Sequence, residues 1–453
     1  MTNNRQKLWR VVFWMTVAVI LVSSLLYFGS GVGQSAAGLP AELGRRADGS
    51  LVSSPKAELL HGFSLAMRLE RMLLYPLLLL AFQLSGGAAA LRRVLAGQAQ
   101  PWLARSLPGP VRLVGAVAQR IPHGWRQRLP GSDLMVILLF VLAFHLGLYL
   151  LYLPFNFYRS FVVGHQFGLS TLSAGGWLMD WLKSVAIGLV TNGLLWTGFF
   201  ALMRLAPRRW PIPAGALSLV FSLIFVLVTP VLITPLFYHV SQLDDPNLQQ
   251  RILALTARVG LEVDEIHVID ASSKTTTVNA YFTGFGGAQR IVLYDNLLNG
   301  YTPDQVEVVL AHELGHWYYK HHLLSVLGLG AVAWLGMFAL RWLLNKTWRW
   351  LKLTGPADVA VLPFILAVAA LVGMLTMPVE NGISRLAENQ ADEFALEISQ
   401  KPQAFIELFE QFAEQNLSVV DVPDWEKFIF YTHPPVAERI ARANRFSRSA
   451  QNQ

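Results

Sequence analysis

The sequence predicts an α-helical integral membrane protein with seven spans and a small α+β lobe that carries a β-hairpin. Three observations predict it. Of 453 residues, 53% are hydrophobic and only 14% charged, against about 25% charged in a soluble domain. Seven apolar runs reach the roughly 17–25 residues that a helix needs to cross a bilayer. They lie near 11–29, 72–91, 134–154, 185–203, 214–234, 323–344 and 358–378. Two stretches, from about 241 to 322 and from about 379 to 453, hold most of the 29 acidic residues and are polar enough to fold outside lipid.

The expected organisation follows. Residues 1–240 form a five-span membrane region, and 241–322 the first part of the lobe. Residues 323–378 are the sixth and seventh spans, and 379–453 the second part of the lobe. Arg5, Lys7 and Arg10 precede the first run as in a signal peptide. Its apolar stretch is longer than the about 7–15 residues usual there, so a retained span is expected. The absence of cysteine excludes disulfides and thiolate ligands.

The net charge of +7 is unevenly placed. Basic residues flank the first span, fill the segment from Arg92 to Arg128, and recur at Arg204, Arg208 and Arg209 and from Arg341 to Lys352. In a seven-span count these four segments share one face. Basic loops mark the cytoplasmic side. The N-terminus is therefore expected in the cytoplasm and the lobe on the opposite face, which for a bacterial inner membrane is the periplasm. Read this way, the charge orients the chain in the bilayer, and nothing points to nucleic acid. His145, Thr191 and Asn192 inside spans fit either a wet interior or helix–helix hydrogen bonding.

In the first polar stretch a helix is predicted from Asn247 to Val259, ended by Gly260. β-type runs follow at 266–269, 275–282 and 290–294, the last two joined by a glycine-rich loop at 283–287 as a hairpin. Thr302, Pro303 and Gln305 then form a helix start with a capping box. No proline interrupts Thr302 to Leu344, which predicts one long helix running into the sixth span.

That helix carries His312-Glu313-Leu314-Gly315-His316. Residues i and i+4 share a helix face, so His312 and His316 can offer two imidazoles to one zinc ion, with Glu313 placed as general base toward a water. A third protein ligand is needed. His322 has the right spacing for one known arrangement, but that arrangement needs glycine where Tyr319 stands. In a continuous helix His322 also faces away, so His321 and His322 read as interfacial residues. Glu388 is the better candidate, with Asp392 one turn later and able to orient a histidine. Spacing alone leaves Glu388 open between ligand and solvated helix face.

Several motifs together resemble the integral-membrane CAAX prenyl endopeptidase family of zinc proteases. Val309 to Trp317 is similar to its signature, and Ser384-Arg385, Glu388 and Ala391-Asp392 to its third-ligand segment. Asn279 to Phe282, Arg290 to Asp295, and His433-Pro434-Pro435 with Glu438-Arg439 also match. So do Leu153-Pro154-Phe155 with Tyr158 and Phe161, and Thr234 to Phe237. The resemblance implies a barrel of seven helices around a water-filled chamber, one Zn2+ per chain held by His312, His316 and Glu388, and cleavage near the C-terminus of the substrate. It implies that Asn279 lies on a substrate-facing strand and His433 near the zinc, both hydrogen-bonding the scissile peptide or its tetrahedral intermediate. By their own residues they read as a strand asparagine and a loop histidine. An exposed edge strand can also bind an extended peptide through its backbone. The loop 163–168 lacks the acidic run and lysine common in eukaryotic members, and Val278 stands where serine is frequent. The resemblance therefore carries the chemistry further than the prenylated substrate.

The expected function is hydrolysis of peptide bonds in extended or membrane-associated polypeptides, with the bilayer and a peptide or protein substrate as partners. Two rivals are a catalytically idle membrane chaperone or scaffold of this fold, against which Glu313 speaks, and a seven-span transporter, which leaves the metal constellation unexplained.

Overall fold

The computed structural model describes residues 2–24, 36, 38–104, 129–263, 265–283 and 290–451. Most of the predicted hairpin loop, the far end of the first apolar run and the arginines from Arg105 to Arg128 lie outside the described residues.

The membrane region is built from α1 (Thr2–Ser24), α2 (Pro55–Ser85), α3 (Gly87–Ala104), α4 (Gly131–Asn156), α5 (Ala174–Leu205) and α6 (Pro211–Val228). Among the described residues, six helical segments are long and apolar enough to cross a membrane, and a bent pair makes a seventh when it is counted as one span. That pair is α2 and α3, which meet at 63° inside the run predicted as the second span. Gly86 causes the bend: its φ of 89° is a left-handed conformation that ends α2, with its N–H on the Gln83 carbonyl. Downstream of Pro154, the end of α4 opens into a π-helix from Phe157 to Val163, and α6 does the same from Thr229 to Ile233 around Pro230. Missing or displaced donors at proline are a recognised cause of such widening. His145 Nδ1 donates to Val141 O (2.8 Å), and Asn192 donates to Gly188 O (2.8 Å). Each thus has a carbonyl partner in its own helix, and Asn192 also hydrogen-bonds Tyr149 of α4.

The lobe begins with β1 (Val240–Gln242), which the periodicity did not predict, and α7 (Pro246–Ala257), capped by the Asp245 carboxylate. Then come β2 (Glu265–Ile269), β3 (Ala280–Thr283) and β4 (Arg290–Tyr294). The sheet order is β1-β2-β4-β3. β3 and β4 pair antiparallel as the expected hairpin, β2 and β4 pair parallel, and β1 closes antiparallel on β2. β3 is therefore an edge.

Helices α8 (Pro303–Tyr318), α9 (His321–Thr347) and α10 (Leu362–Ser399) follow, then α11 (Pro402–Gln415), α12 (Asp424–Phe430) and α13 (Val436–Gln451). The capping box at Thr302 and Gln305 is present. The single long helix is not: α8 and α9 are separated at Lys320, whose φ of 57° is left-handed. Neither proline nor glycine marks that break, which is why the pattern ran through it. α10 continues the seventh span unbroken into the lobe, past Pro378. The lobe core joins both polar stretches, with Leu255, Ile291, Leu310 and Leu314 packed together with Ala395, Phe405 and Ala443. On its membrane side, Thr171 Oγ1 donates to Ser272 O (2.8 Å), tying the loop between α4 and α5 to the hairpin's approach.

In the membrane region α6 and α9 meet at Gly215. A Cβ there would stand 1.9 Å from the Trp334 ring, so only glycine admits that indole, as small residues do at close helix crossings. Overpacking of this kind typically costs about 1–3 kcal/mol. Gly215→Val is expected to lower the melting temperature of the purified protein by several degrees. An unchanged melting curve would contradict this crossing.

Candidate metal centre

The site forms where α8 and α10 cross. Gly315 sits at the contact: a Cβ there would lie 3.0 Å from the Ala391 Cα and 3.3 Å from Phe394. The glycine of the motif thus lets α10 lie against α8, and that approach brings Glu388 to the two histidines. His312 Nε2 and His316 Nε2 are 3.2 Å apart. Glu388 Oε2 is 3.3 Å from His312 Nε2, and Oε1 is 3.3 Å from His316 Nε2. The three form a group able to hold a metal ion. Glu388 is buried, and its Oε2 accepts no hydrogen bond of proper geometry. A buried carboxylate oxygen left without a donor is costly, and two imidazole nitrogens turned toward it offer lone pairs to a cation.

Behind these groups stands a layer of hydrogen bonds. Asp392, fully buried, lies 3.0 Å from His312 Nδ1. Arg439 grips the same carboxylate through Nε (2.9 Å) and Nη2, and Arg442 adds Nη1 at 3.3 Å. The Arg439 guanidinium stacks 4.0 Å over the Phe409 ring. His316 has a different partner. Its Nδ1 lies 3.0 Å from His321 Nδ1, and His321 Nε2 lies 3.0 Å from Gln390 Oε1. The left-handed turn at Lys320 makes this possible, because it places His321 first in α9 and folds it back over His316. The interfacial reading of His321 is therefore corrected: on a continuous helix its ring would point elsewhere.

Glu313 makes no hydrogen bond or ion pair with the chain among the described residues, and it is half-buried. Burial raises its pKa above the usual range, against the opposing pull of His312 and His316. His312 is pushed up to about 9: burial favours the neutral ring, but the carboxylates of Asp392 and Glu388 beside it outweigh that.

His433 Nε2 lies 3.3 Å from Glu388 Oε1, with its side chain more than half exposed. Its segment is held from α10. Arg385 donates to the carbonyls of Lys427 (2.8 Å) and Tyr431, and Asn381 donates to Ile429 O. Arg385 thus holds the segment that delivers His433. Asn279 is exposed at the start of edge strand β3, its Oδ1 accepting from Ala280 N (2.9 Å). Sequence reasoning brought His312, His316, Glu388, Asp392 and His433 to one place. It did not find the parts played by His321, Gln390, Arg439 and Arg442. For Arg439 the Glu438-Arg439 match was the available signal.

Comparison with known proteins shows what the chain is similar to. Residues 71–239 match the family model for the CAAX prenyl protease N-terminal region of five membrane helices, and residues 242–447 that for peptidase family M48. An uncharacterised metalloprotease of Bacillus subtilis, YhfN, is 29% identical over 347 residues, covering 76% of this chain and 81% of the relative. CAAX prenyl protease 1 of Saccharomyces cerevisiae is 29% identical over 323 residues, covering 66% of this chain and 70% of the relative. The crystal structure of Ste24p from S. mikatae superposes with a TM-score of 0.71 at 21% identity, covering 96% of this chain and 99% of that one.

Metal binding at this centre must displace the proton that His312 holds up to about pH 9. Apparent affinity should therefore fall by about tenfold per pH unit on acidification below that point. Calorimetry in buffers of different ionisation enthalpy is expected to show about one proton released per metal at neutral pH. Binding without proton release would contradict the electrostatics.

Proposed function

The chain belongs to the CAAX prenyl protease branch of peptidase family M48 and is a membrane-embedded metalloprotease; from that premise we propose that it is a zinc endopeptidase using His312, His316 and Glu388 as ligands, one ion per chain. The carrying observation is the donor spacing. Tetrahedral zinc with arms of about 2.0–2.1 Å needs donor atoms roughly 3.3 Å apart. The two imidazole nitrogens stand 3.2 Å apart, and each lies 3.3 Å from one of the two oxygens of the Glu388 carboxylate. The donor set, two imidazoles and a carboxylate, is one that catalytic zinc accepts, with a fourth position left for water.

A zinc ion held there would acidify a water to near neutral pKa and polarise the scissile carbonyl. The remaining work belongs to the chain. Glu313, with no competing partner, takes a proton from the attacking water and returns it to the leaving nitrogen. His433 Nδ1 lies 2.8 Å from Thr432 Oγ1; with that hydroxyl donating, the ring proton sits on Nε2, facing the site. It and Asn279 donate to the carbonyl oxygen as that oxygen becomes anionic. Substrate lies extended along the free edge of β3, which restricts cleavage to flexible or membrane-associated segments. Asp392 accepts the His312 Nδ1 proton. Gln390 Oε1 accepts from His321 Nε2, so His321 Nδ1 is bare and accepts the His316 Nδ1 proton. Both ligand histidines then present a lone pair at Nε2.

One variant series tests these assignments. Glu313→Ala should keep zinc and lose peptidase activity by about 10²–10⁴-fold. Glu388→Ala should lose the metal. His321→Ala should weaken zinc by about 10–100-fold, as removal of an orienting partner does. Normal zinc content and cleavage in Glu388→Ala would sink the ligand set.

We also infer that the lobe faces away from the cytoplasm, in a bacterium toward the periplasm, because the basic segments share the opposite face. The eukaryotic relatives are named for prenyl substrates, which favours the cytosolic side. The charge pattern belongs to this chain and is the stronger ground. A reporter active only in the periplasm, fused after Gln453, should be active. A silent reporter there, with a cytoplasm-active one working at the same site, would reverse the orientation.

A further inference from the structure

At the membrane end farthest from the lobe, a cavity of about 1070 Å³ opens between the end of α5, the start of α6, the end of α9 and the loop before α10. Arg204, Arg208, Arg209 and Arg341 line it, together with Asp133 and Asp358. Both acids are already engaged. Asp133 pairs with Arg204 at 2.6 Å. Asp358 caps Ala360 N (3.0 Å), accepts from Thr354 N and Oγ1, and lies 3.3 Å from Arg92. Arg208, Arg209 and Arg341 have no side-chain hydrogen bond or ion pair among the described residues. Arg341 Nε is moreover buried and unsatisfied.

Three unpaired guanidinium groups around one recess repel one another, and a buried Nε–H without an acceptor is costly. Residues that serve only to orient a chain in the bilayer need to be near the interface; they need not converge. Trp210, 3% exposed, also lines the recess. Trp348, stacked under Arg349 at 5.1 Å, belongs to the α9 end of the same face, where interfacial aromatics mark headgroup depth.

We propose that this recess is a binding site for a phosphate group, the phosphodiester of an anionic phospholipid or a free phosphate. Planar guanidinium forks match phosphate oxygens two at a time, and basic pockets between helix ends are suited to anionic headgroups. Arg341 supplies the buried donor, and Arg208 and Arg209 close over the anion from the rim. The inference does not depend on the zinc assignment or on the protease reading.

The test uses the full-length chain in neutral detergent, titrated with short-chain phosphatidylglycerol, phosphatidylcholine or inorganic phosphate. Saturable, salt-sensitive phosphatidylglycerol binding is expected, with phosphatidylcholine at least tenfold weaker. Arg209→Gln together with Arg341→Gln should lower the phosphatidylglycerol affinity at least tenfold while peptidase activity stays at the parent level. Displacement by millimolar inorganic phosphate would mark a free-ion site, and resistance to it would mark the lipid as the source; either supports the proposal. If the double variant does not fold, Arg209→Gln alone, an exposed and unpartnered side chain, should still weaken binding about threefold. Equal affinity for the two lipids, or variants that bind as the parent does, would overturn the proposal and leave the arginines as orientation signals only.

Discussion

The crossing of α8 and α10 is the contact on which the rest of the site depends. Two histidines one helical turn apart are only a potential chelate. They become a centre because Gly315 offers no Cβ and Ala391 only one, so the helix axes come close enough for Glu388 to reach across. That approach is also what buries Asp392 against His312. α10 is at once the last membrane span, the source of Glu388 and the holder of the His433 segment. The membrane region and the chemistry therefore share one rigid element.

Burying so many ionisable groups together would destabilise the fold if they were not mutually satisfied. Asp392 is the hub. One carboxylate serves His312, Arg439 and Arg442, and the arginines come from α13, the last helix described. The C-terminal helix thus closes the charge balance behind the histidine. Around His316 the solution is neutral, an imidazole and an amide in series. The two histidines of the motif differ in their partners, a carboxylate for one and a ring for the other, and the turn at Lys320 builds this asymmetry.

Much of this was legible in the sequence because it is local or periodic. The apolar runs, the Thr302–Gln305 cap, the strands of the hairpin and the i, i+4 histidines all follow from spacing along one element. Glu388 was an open candidate from its own segment and became a firm one with the family's motif order, since nothing local says that α10 meets α8. The failures have physical causes. A lysine in the left-handed region carries no compositional mark, so the break at 320 and the return of His321 were invisible. β1 is three residues long, too short for a period to register. The bend within the second span was signalled by Gly86-Gly87, but the hydropathy of the run masked it. The carboxylate hub depends on α13 meeting α10, a contact through space that no spacing within either helix encodes.

The central claim is a metal held by two imidazoles and one carboxylate, and the metal's own surroundings test it most directly. X-ray absorption at the zinc edge of the full-length protein is expected to show two imidazole rings, with the other scatterers oxygen, at about 2.0–2.1 Å. A shell with three imidazoles would put His321, His322 or His433 where Glu388 is assigned and contradict the account. So would a shell with none.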